Sequence, residues 1–487
     1  MSVALILIAL AAILALVLGV SARRGHKMKL EEWTVGGRGF GAIFVFLLLA
    51  GEIYTTFTFL GASGWAYGLG APAYYILAYG TLAYIISYFM LPPIWAYARK
   101  HALVSQPDFF ASKFASPALG VLVALVGIVA LVPYLVLQFT GLTVIVEVAS
   151  YGAIPKSVSV VIGAAVVTLY VIVSGIRGSA WTAVVKDTAI ILVAIFLGLY
   201  LPFHYQGGIT AMFAAIDKAK PGFLAFAPTG HSLAWFVSTV LLTALGFFMW
   251  PHSFSSCYSA RHADVFRKDA IVLPLYQLVL LFIFFVGFSA CLVVPGLKGS
   301  ATNMALLKIV VAAFPPWVVG IVGATGVLTA LVPGSMIMMT ASTLFARNLV
   351  AVLRPGQSDD TTVLIAKIGV PVVAVIAGYF TLEGSSTIVA LLLMGYSFVT
   401  QLFPALICSL LPRNPATKEG AMAGIILGVA TVIYFTMTNT TIAKLLPGFP
   451  EVVRDLNVGT AALLINIVAL AVVSAVTTPR GAAVAAE

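Results

Sequence analysis

Apolar runs of membrane-spanning length, separated by short intervals rich in Lys, Arg, Gly and Pro, make up most of the chain. A helix needs ~20 mostly apolar residues to cross the hydrocarbon core of a bilayer. Runs near that length occupy 3–22, 40–66, 72–97, 118–147, 158–175, 182–203, 233–252, 270–294, 316–345, 363–382, 386–411, 420–438 and 459–475. This pattern predicts an all-α polytopic membrane protein of about thirteen transmembrane helices, a single transmembrane domain over residues 1–487. The positive residues beside the first run (Arg23, Arg24, Lys27, Lys29) follow it rather than precede it. It is therefore read as a retained helix, not a cleaved secretory signal.

The run at 40–66 departs from the pattern. Its centre, Ala50 to Gly61, carries Glu52 together with Thr55, Thr56 and Thr58. An ionisable group in mid-membrane is costly unless it faces a partner or a water-filled cavity. Gly51, Gly61 and Gly64, with β-branched threonines between the first two, also weaken a continuous helix. The stretch is expected to be a broken helix lining a transport site.

Composition supports the membrane assignment and sets the partners. The chain is 61% hydrophobic and 9% charged, with a mean hydropathy of +1.10, more apolar surface than a soluble domain can bury. A net charge of +10 on a soluble protein would suggest nucleic acid; here it reflects basic cytoplasmic intervals. With the N-terminus outside and the C-terminus in the cytoplasm, the cytoplasmic side holds Arg23, Arg24, Lys27, Lys29, Arg99, Lys100, Arg177, Arg261, Arg267, Lys268, Arg347 and Arg480, among others. The outside keeps fewer, such as Lys156, Lys218, Lys220 and Lys298, which obeys the positive-inside rule. Cys257, Cys291 and Cys408 are far apart, and the histidines lack ligand spacing, so neither a disulfide framework nor a zinc site is indicated. No cofactor is expected, and no nucleophile, base and orienting group converge as an enzyme would require.

Setting aside 3–22 and the pair at 420–475 leaves two groups of five spans, 40–203 and 233–411. An odd number of spans inverts the second group relative to the first, and transporters built this way break corresponding helices in both halves. The first helix of the second group contains Gly246-Phe247-Phe248-Met249-Trp250-Pro251-His252, where Pro251 lacks a backbone donor. The two interruptions fall at matching positions.

Four local motifs then carry a family resemblance. Glu31-Glu32-Trp33-Thr34-Val35-Gly36-Gly37-Arg38-Gly39-Phe40-Gly41 looks like a D-Y-F-x-A-G-R-x-L-G helix entry. Gly61-Ala62-Ser63-Gly64-Trp65-Ala66-Tyr67-Gly68 looks like a G-x-x-G-x-x-Y-x-x-G exit. Ser174 to Thr182 is similar to a G-G-L-x-A-x-x-W-T turn, and Trp250-Pro251-His252 through Arg261 to a Q-P-H motif with its basic loop. In this order the chain resembles the sodium:solute symporter family, in the branch of bacterial monocarboxylate permeases. The resemblance implies thirteen helices, the N-terminus outside and a LeuT-type 5+5 inverted-repeat core.

It also implies an ion site, which this chain alters. Sodium-coupled members hold the ion on carbonyls of the broken helix, here near Gly51 and Tyr54, and on a carbonyl near Ala330 plus two hydroxyls. Those hydroxyl positions fall at Pro333 and Gly334, which have none, although Ser335 is adjacent. The family's acidic residue after W-T is Ala183, and Lys186 stands one turn further on, in Val185-Lys186-Asp187. One reading makes the Lys186 ammonium a replacement for the sodium ion that exchanges a proton, with Glu52 as its partner or a second proton carrier. The other has Lys186 snorkelling to the cytoplasmic interface and pairing locally with Asp187.

Substrate candidates are Tyr54, Thr55, Thr56 and Thr58 at the first break, Phe247, Trp250 and His252 at the second, and Tyr396 and Gln401 on 386–411. Each aromatic taken singly is as readily a packing residue. A half-helix N-terminus suits a carboxylate, so the expected solute is a small organic anion, a monocarboxylate or an amino acid. The expected function is import by a cation-coupled symporter (Na+ or H+) in the cell membrane. The alternative is a proton-coupled transporter or an uncoupled uniporter or channel. A solute sensor is the lesser reading, because little chain follows 459–475.

Overall fold

The structure is a computed structural model that describes residues 2–23 and 29–478, so Arg24, Lys27 and Arg480 lie outside the described residues. Among the described residues all regular structure is helical, apart from one isolated bridge between Phe40 and Ala260. The membrane-embedded helices are numbered here in chain order. They are α1 (Ser2–Arg23), α2 (Ala42–Gly51), α3 (Ser63–Leu69), α4 (Tyr75–Lys100), α5 (Pro117–Ala149), α6 (Lys156–Gln206), α7 (Leu233–Gly246) and α8 (Pro251–Ser259). After these come α9 (Asp264–Gln277), α10 (Leu280–Val293), α11 (Pro316–Thr343), α12 (Asp359–Glu383), α13 (Ile388–Val399), α14 (Phe403–Leu410), α15 (Lys418–Thr438) and α16 (Val458–Thr477). Ten described helices are long and apolar enough to cross a membrane, or eleven when the bent pair α7 and α8 counts as one.

Two segments depart from the boundaries read in the sequence. The spans expected at 158–175 and 182–203 form one helical element, α6, of 51 residues. It reverses direction all the same. The Tyr170 hydroxyl donates to Thr182 Oγ1 at 2.8 Å, whereas residues twelve apart on a straight helix would be separated by ~18 Å. The reversal sits at Gly175, whose φ of 59° and ψ of −168° are inaccessible to a residue with a Cβ. Gly175→Ala is expected to cost about 1–3 kcal/mol, read as a lower melting temperature of the detergent-purified protein.

The second departure is the interval 295–315, read as a loop. It contains a helix, Ala305–Ala313, with Leu306, Leu307, Ile309 and Val310 buried. Nine residues are too few to register as a span, yet their apolar face packs inside the protein.

The two broken helices, α2–α3 and α7–α8, run antiparallel, and contacts at three levels fix their register. At one end Phe40 N–H donates to the Ser259 carbonyl at 3.0 Å, and Arg261 N–H donates to the Phe40 carbonyl at 2.9 Å. In the middle Glu52 meets Ser253. At the other end Trp65 packs on Trp235, with ring centroids 5.8 Å apart. The start of one broken helix therefore lies beside the end of the other, and break faces break.

Candidate functional site

The first break begins where α2 stops at Gly51, continues as a turn over 52–55, and re-enters helix through the wide turns Phe57–Ala62. Backbone groups inside a bilayer need internal partners, and the threonines supply them. Thr58 Oγ1 accepts from Thr55 N–H at 3.2 Å and donates to the Ile53 carbonyl at 2.9 Å. Thr55 Oγ1 accepts from Phe57 N–H at 3.0 Å. These two hydroxyls thus hold the break itself, while Thr56 Oγ1 donates to Gln138 Oε1 on α5 at 2.8 Å.

At the second break α7 ends at Gly246, Phe247–Met249 make a tight turn, and Trp250 is extended (φ −66°, ψ 133°). Pro251 then opens α8 at a bend of 53°, a position where its missing N–H costs nothing. The Met249 carbonyl at the break accepts from Gln106 Nε2 at 2.8 Å. Trp250 lies between Tyr134 and Tyr396, at centroid distances of 4.7 and 5.3 Å. Phe247 packs on Tyr84 at 5.4 Å.

Glu52 joins the two breaks. Its Oε2 accepts from Ser253 Oγ on α8 at 2.5 Å, and its carbonyl accepts from the Tyr134 hydroxyl on α5 at 2.9 Å. Its other carboxyl oxygen has no hydrogen-bond partner among the described residues, and neither do the two ring nitrogens of His252. Glu52 is 9% exposed and His252 2%.

Lys186 meets the first break from α6. Its Nζ donates to the Tyr54 carbonyl at 3.2 Å and pairs with Asp187 Oδ1 at 2.9 Å. A Cβ added at Gly51 would sit 3.1 Å from the same Nζ, so the glycine leaves room for the ammonium. The side chain is fully buried, with 0% exposure, and does not snorkel to an interface. The Tyr54 side chain reaches α9. Its hydroxyl donates to the Tyr276 carbonyl at 2.7 Å, and the Tyr276 hydroxyl reaches Asp187 Oδ1 at 3.4 Å. One turn before Lys186, Ala183 packs with Leu47 and Val332, which brings α2, α6 and α11 together.

Other residues singled out in the sequence lie elsewhere. Gln401 Nε2 donates to the Gly459 carbonyl at 3.3 Å, and Asn466 Nδ2 on α16 donates to the Gln401 carbonyl at 2.7 Å. Gln401 therefore ties the core to the last helix rather than facing the breaks. On α11, Ser335 Oγ lies 2.7 Å from Ser179 Oγ. Gly334 approaches Val167 and Gln138, and Ala330 and Pro333 are buried in the helix interior. A half-open cavity of about 680 Å³ flanks α5, α12 and α13, and Glu52, Lys186, Trp250 and His252 do not line it. Tyr134, Gln138, Ser253 and Tyr276 were not picked out in the sequence. Only the position of Ser253 next to the Pro-His pair pointed toward any of them.

With this geometry in place, comparison with known proteins gives the class. The model of the sodium:solute symporter family matches residues 33–428, and the chain belongs to that family. It is 60% identical over 477 residues to an uncharacterized symporter, YhjB, of Bacillus subtilis (strain 168), covering 98% of each chain. It is 28% identical over 432 residues to a monocarboxylate transport permease protein of Rhizobium johnstonii, covering 85% of each. Its fold is that of a Na+-coupled sialic acid symporter solved in a substrate-bound outward-open state, with a TM-score of 0.80, 16% identity and 98% of each chain covered. Membership makes this an integral multi-pass membrane protein, a symporter for a small-molecule solute and a coupling cation, among relatives that are transporters rather than enzymes.

Proposed function

We propose that this protein imports a small organic anion, a monocarboxylate ahead of an amino acid, across the cell membrane, and that the Lys186 ammonium takes the cation position at the first break. The observation that carries this reading is the buried Nζ of Lys186 on the Tyr54 carbonyl at 3.2 Å, beside Gly51. A fixed ammonium there supplies the positive charge a sodium ion would bring, and it can release and regain a proton during the cycle. The solute class is supported by the N-terminus of α8 at the second break and by the Rhizobium relative.

The thirteen-helix reading is part of the same proposal. The ten long apolar helices include α6 once; splitting it at Gly175 adds one, and the broken pairs α2–α3 and α7–α8 add two. A LeuT-type core with inverted halves at 40–203 and 233–411 agrees with the antiparallel register of the broken pairs. In this arrangement the N-terminus lies outside, the C-terminus lies in the cytoplasm, and no cofactor takes part.

Uptake of labelled acetate and lactate into proteoliposomes under an imposed proton gradient, sodium gradient or neither tests the reading. Accumulation is expected with the proton gradient alone. Accumulation driven by sodium and indifferent to protons would remove Lys186 from the cation position and leave a sodium symporter. Equilibration without accumulation under either gradient would identify a uniporter.

A further inference from the structure

Glu52 sits against the first turn of α8. The first turn of α8, a helix of nine residues, begins at Pro251 and faces the first break. Pro251 has no N–H and Ser253 N–H donates to the Trp250 carbonyl at 3.0 Å, so what this turn offers a negative group is its dipole and the Ser253 hydroxyl. The group in contact with this turn is the protein's own carboxyl, with Glu52 Oε2 on Ser253 Oγ at 2.5 Å. A side-chain carboxyl and a small monocarboxylate are the same functional group, so they compete for the same donors.

A second observation marks the contact as incomplete. Glu52 Oε1 and both ring nitrogens of His252 are buried at this break without hydrogen-bond partners among the described residues, an arrangement that costs stability. The imidazole lies 5.5 Å from the Tyr134 ring and 6.0 Å from that of Trp250. A ligand oxygen would give the imidazole the partner it lacks.

The surroundings of Glu52 offer no compensating charge. The ionisable groups facing it are Tyr84 from α4, Tyr134 from α5, Cys257 from α8 and Tyr396 from α13. None of these four is cationic; His252, beside Ser253 on α8, is a further titratable side chain at the break, and among the described residues Glu52 forms no ion pair with it or with Lys186, which Asp187 and Tyr54 engage. Two carboxylates sharing one helix end cannot both stay ionised in so dry a setting.

We propose that Glu52 is a built-in competitor of the transported carboxylate, and that its neutralisation by a proton from bulk water surrenders Ser253 and the α8 terminus to the substrate. This rests on the reading of the solute as a small organic anion. It makes Glu52 the residue through which pH sets substrate affinity.

Equilibrium binding of labelled acetate and lactate to the purified protein, between about pH 6 and about pH 10, is the test. Competition by one carboxylate predicts wild-type affinity rising by up to about tenfold per pH unit on acidification, with about one proton taken up per anion bound. Glu52→Gln is expected to lose that slope and to bind at the alkaline end about as tightly as wild type does at the acid end. A slope retained in Glu52→Gln overturns the inference while leaving the solute class intact. Wild-type binding that is flat with pH, or that takes up no proton from weakly buffered solution, overturns it without any variant. Absence of saturable binding of either anion to wild type removes the solute class and this inference together.

Discussion

Replacing Lys186 with alanine is expected to reduce proton-driven accumulation to the level of protein-free liposomes while leaving exchange of internal for external solute. The ammonium is the only cation donating to a carbonyl of the first break among the described residues. Its removal takes away both the charge that stands for the ion and the group that would release a proton. It also leaves Asp187 buried without its ion-pair partner, with Oδ2 already unpartnered. Breaking a buried pair from one side costs about 3–5 kcal/mol, so Lys186→Ala alone confounds lost coupling with lost stability. The double variant Lys186→Ala with Asp187→Asn removes the orphaned charge. It should recover the melting temperature without recovering accumulation. Accumulation in the double variant at the wild-type rate, per mole of folded protein, would place the coupling elsewhere.

The second large effect concerns packing behind the first break. Gly287 on α10 lies so close to α3 that an added Cβ would stand 2.2 Å from the Ser63 carbonyl oxygen and 2.8 Å from Ala66 Cβ. Small residues let membrane helices approach backbone to backbone, since hydrocarbon surroundings give no hydrophobic drive for association. A β-branched side chain there must push a backbone away, not a flexible side chain. Gly287→Val is expected to destabilise by about 3 kcal/mol or more, read as a marked fall in melting temperature and in the monodisperse yield. Gly448→Ala, where a Cβ meets nothing within 4 Å, is the matched control and should melt as wild type does. A wild-type melting temperature for Gly287→Val would mean that α10 and α3 are not held in this contact.

The anomalies of the site were legible in the sequence; their partners were not. Glu52 stood out as a carboxylate inside an apolar run, and Pro251 as a missing donor. What surrounds them comes from hydroxyls and amides (Tyr134, Ser253, Gln106) that are too common along the chain to mark themselves. Thr55 and Thr58 were read as substrate candidates, and their hydroxyls are engaged within the break. Gln401 had the right chemistry on the right helix but faces the last helix. Which way a side chain points from a buried helix is decided by its neighbours when every face of the helix is apolar.

What the sequence determined by itself is local. The apolar runs follow from the need to satisfy the backbone inside hydrocarbon, a constraint that acts within each segment, and the breaks at Glu52 and Pro251 and the family motifs stand out as local departures from those runs. Whether Lys186 reached the membrane surface or the break could not be decided at that level, because both placements suit one helix taken alone. The tertiary structure decided it, by packing α2, α6 and α11 so that Lys186 meets the carbonyl of a residue 132 positions away, and by setting break against break so that Glu52 meets Ser253 across 201.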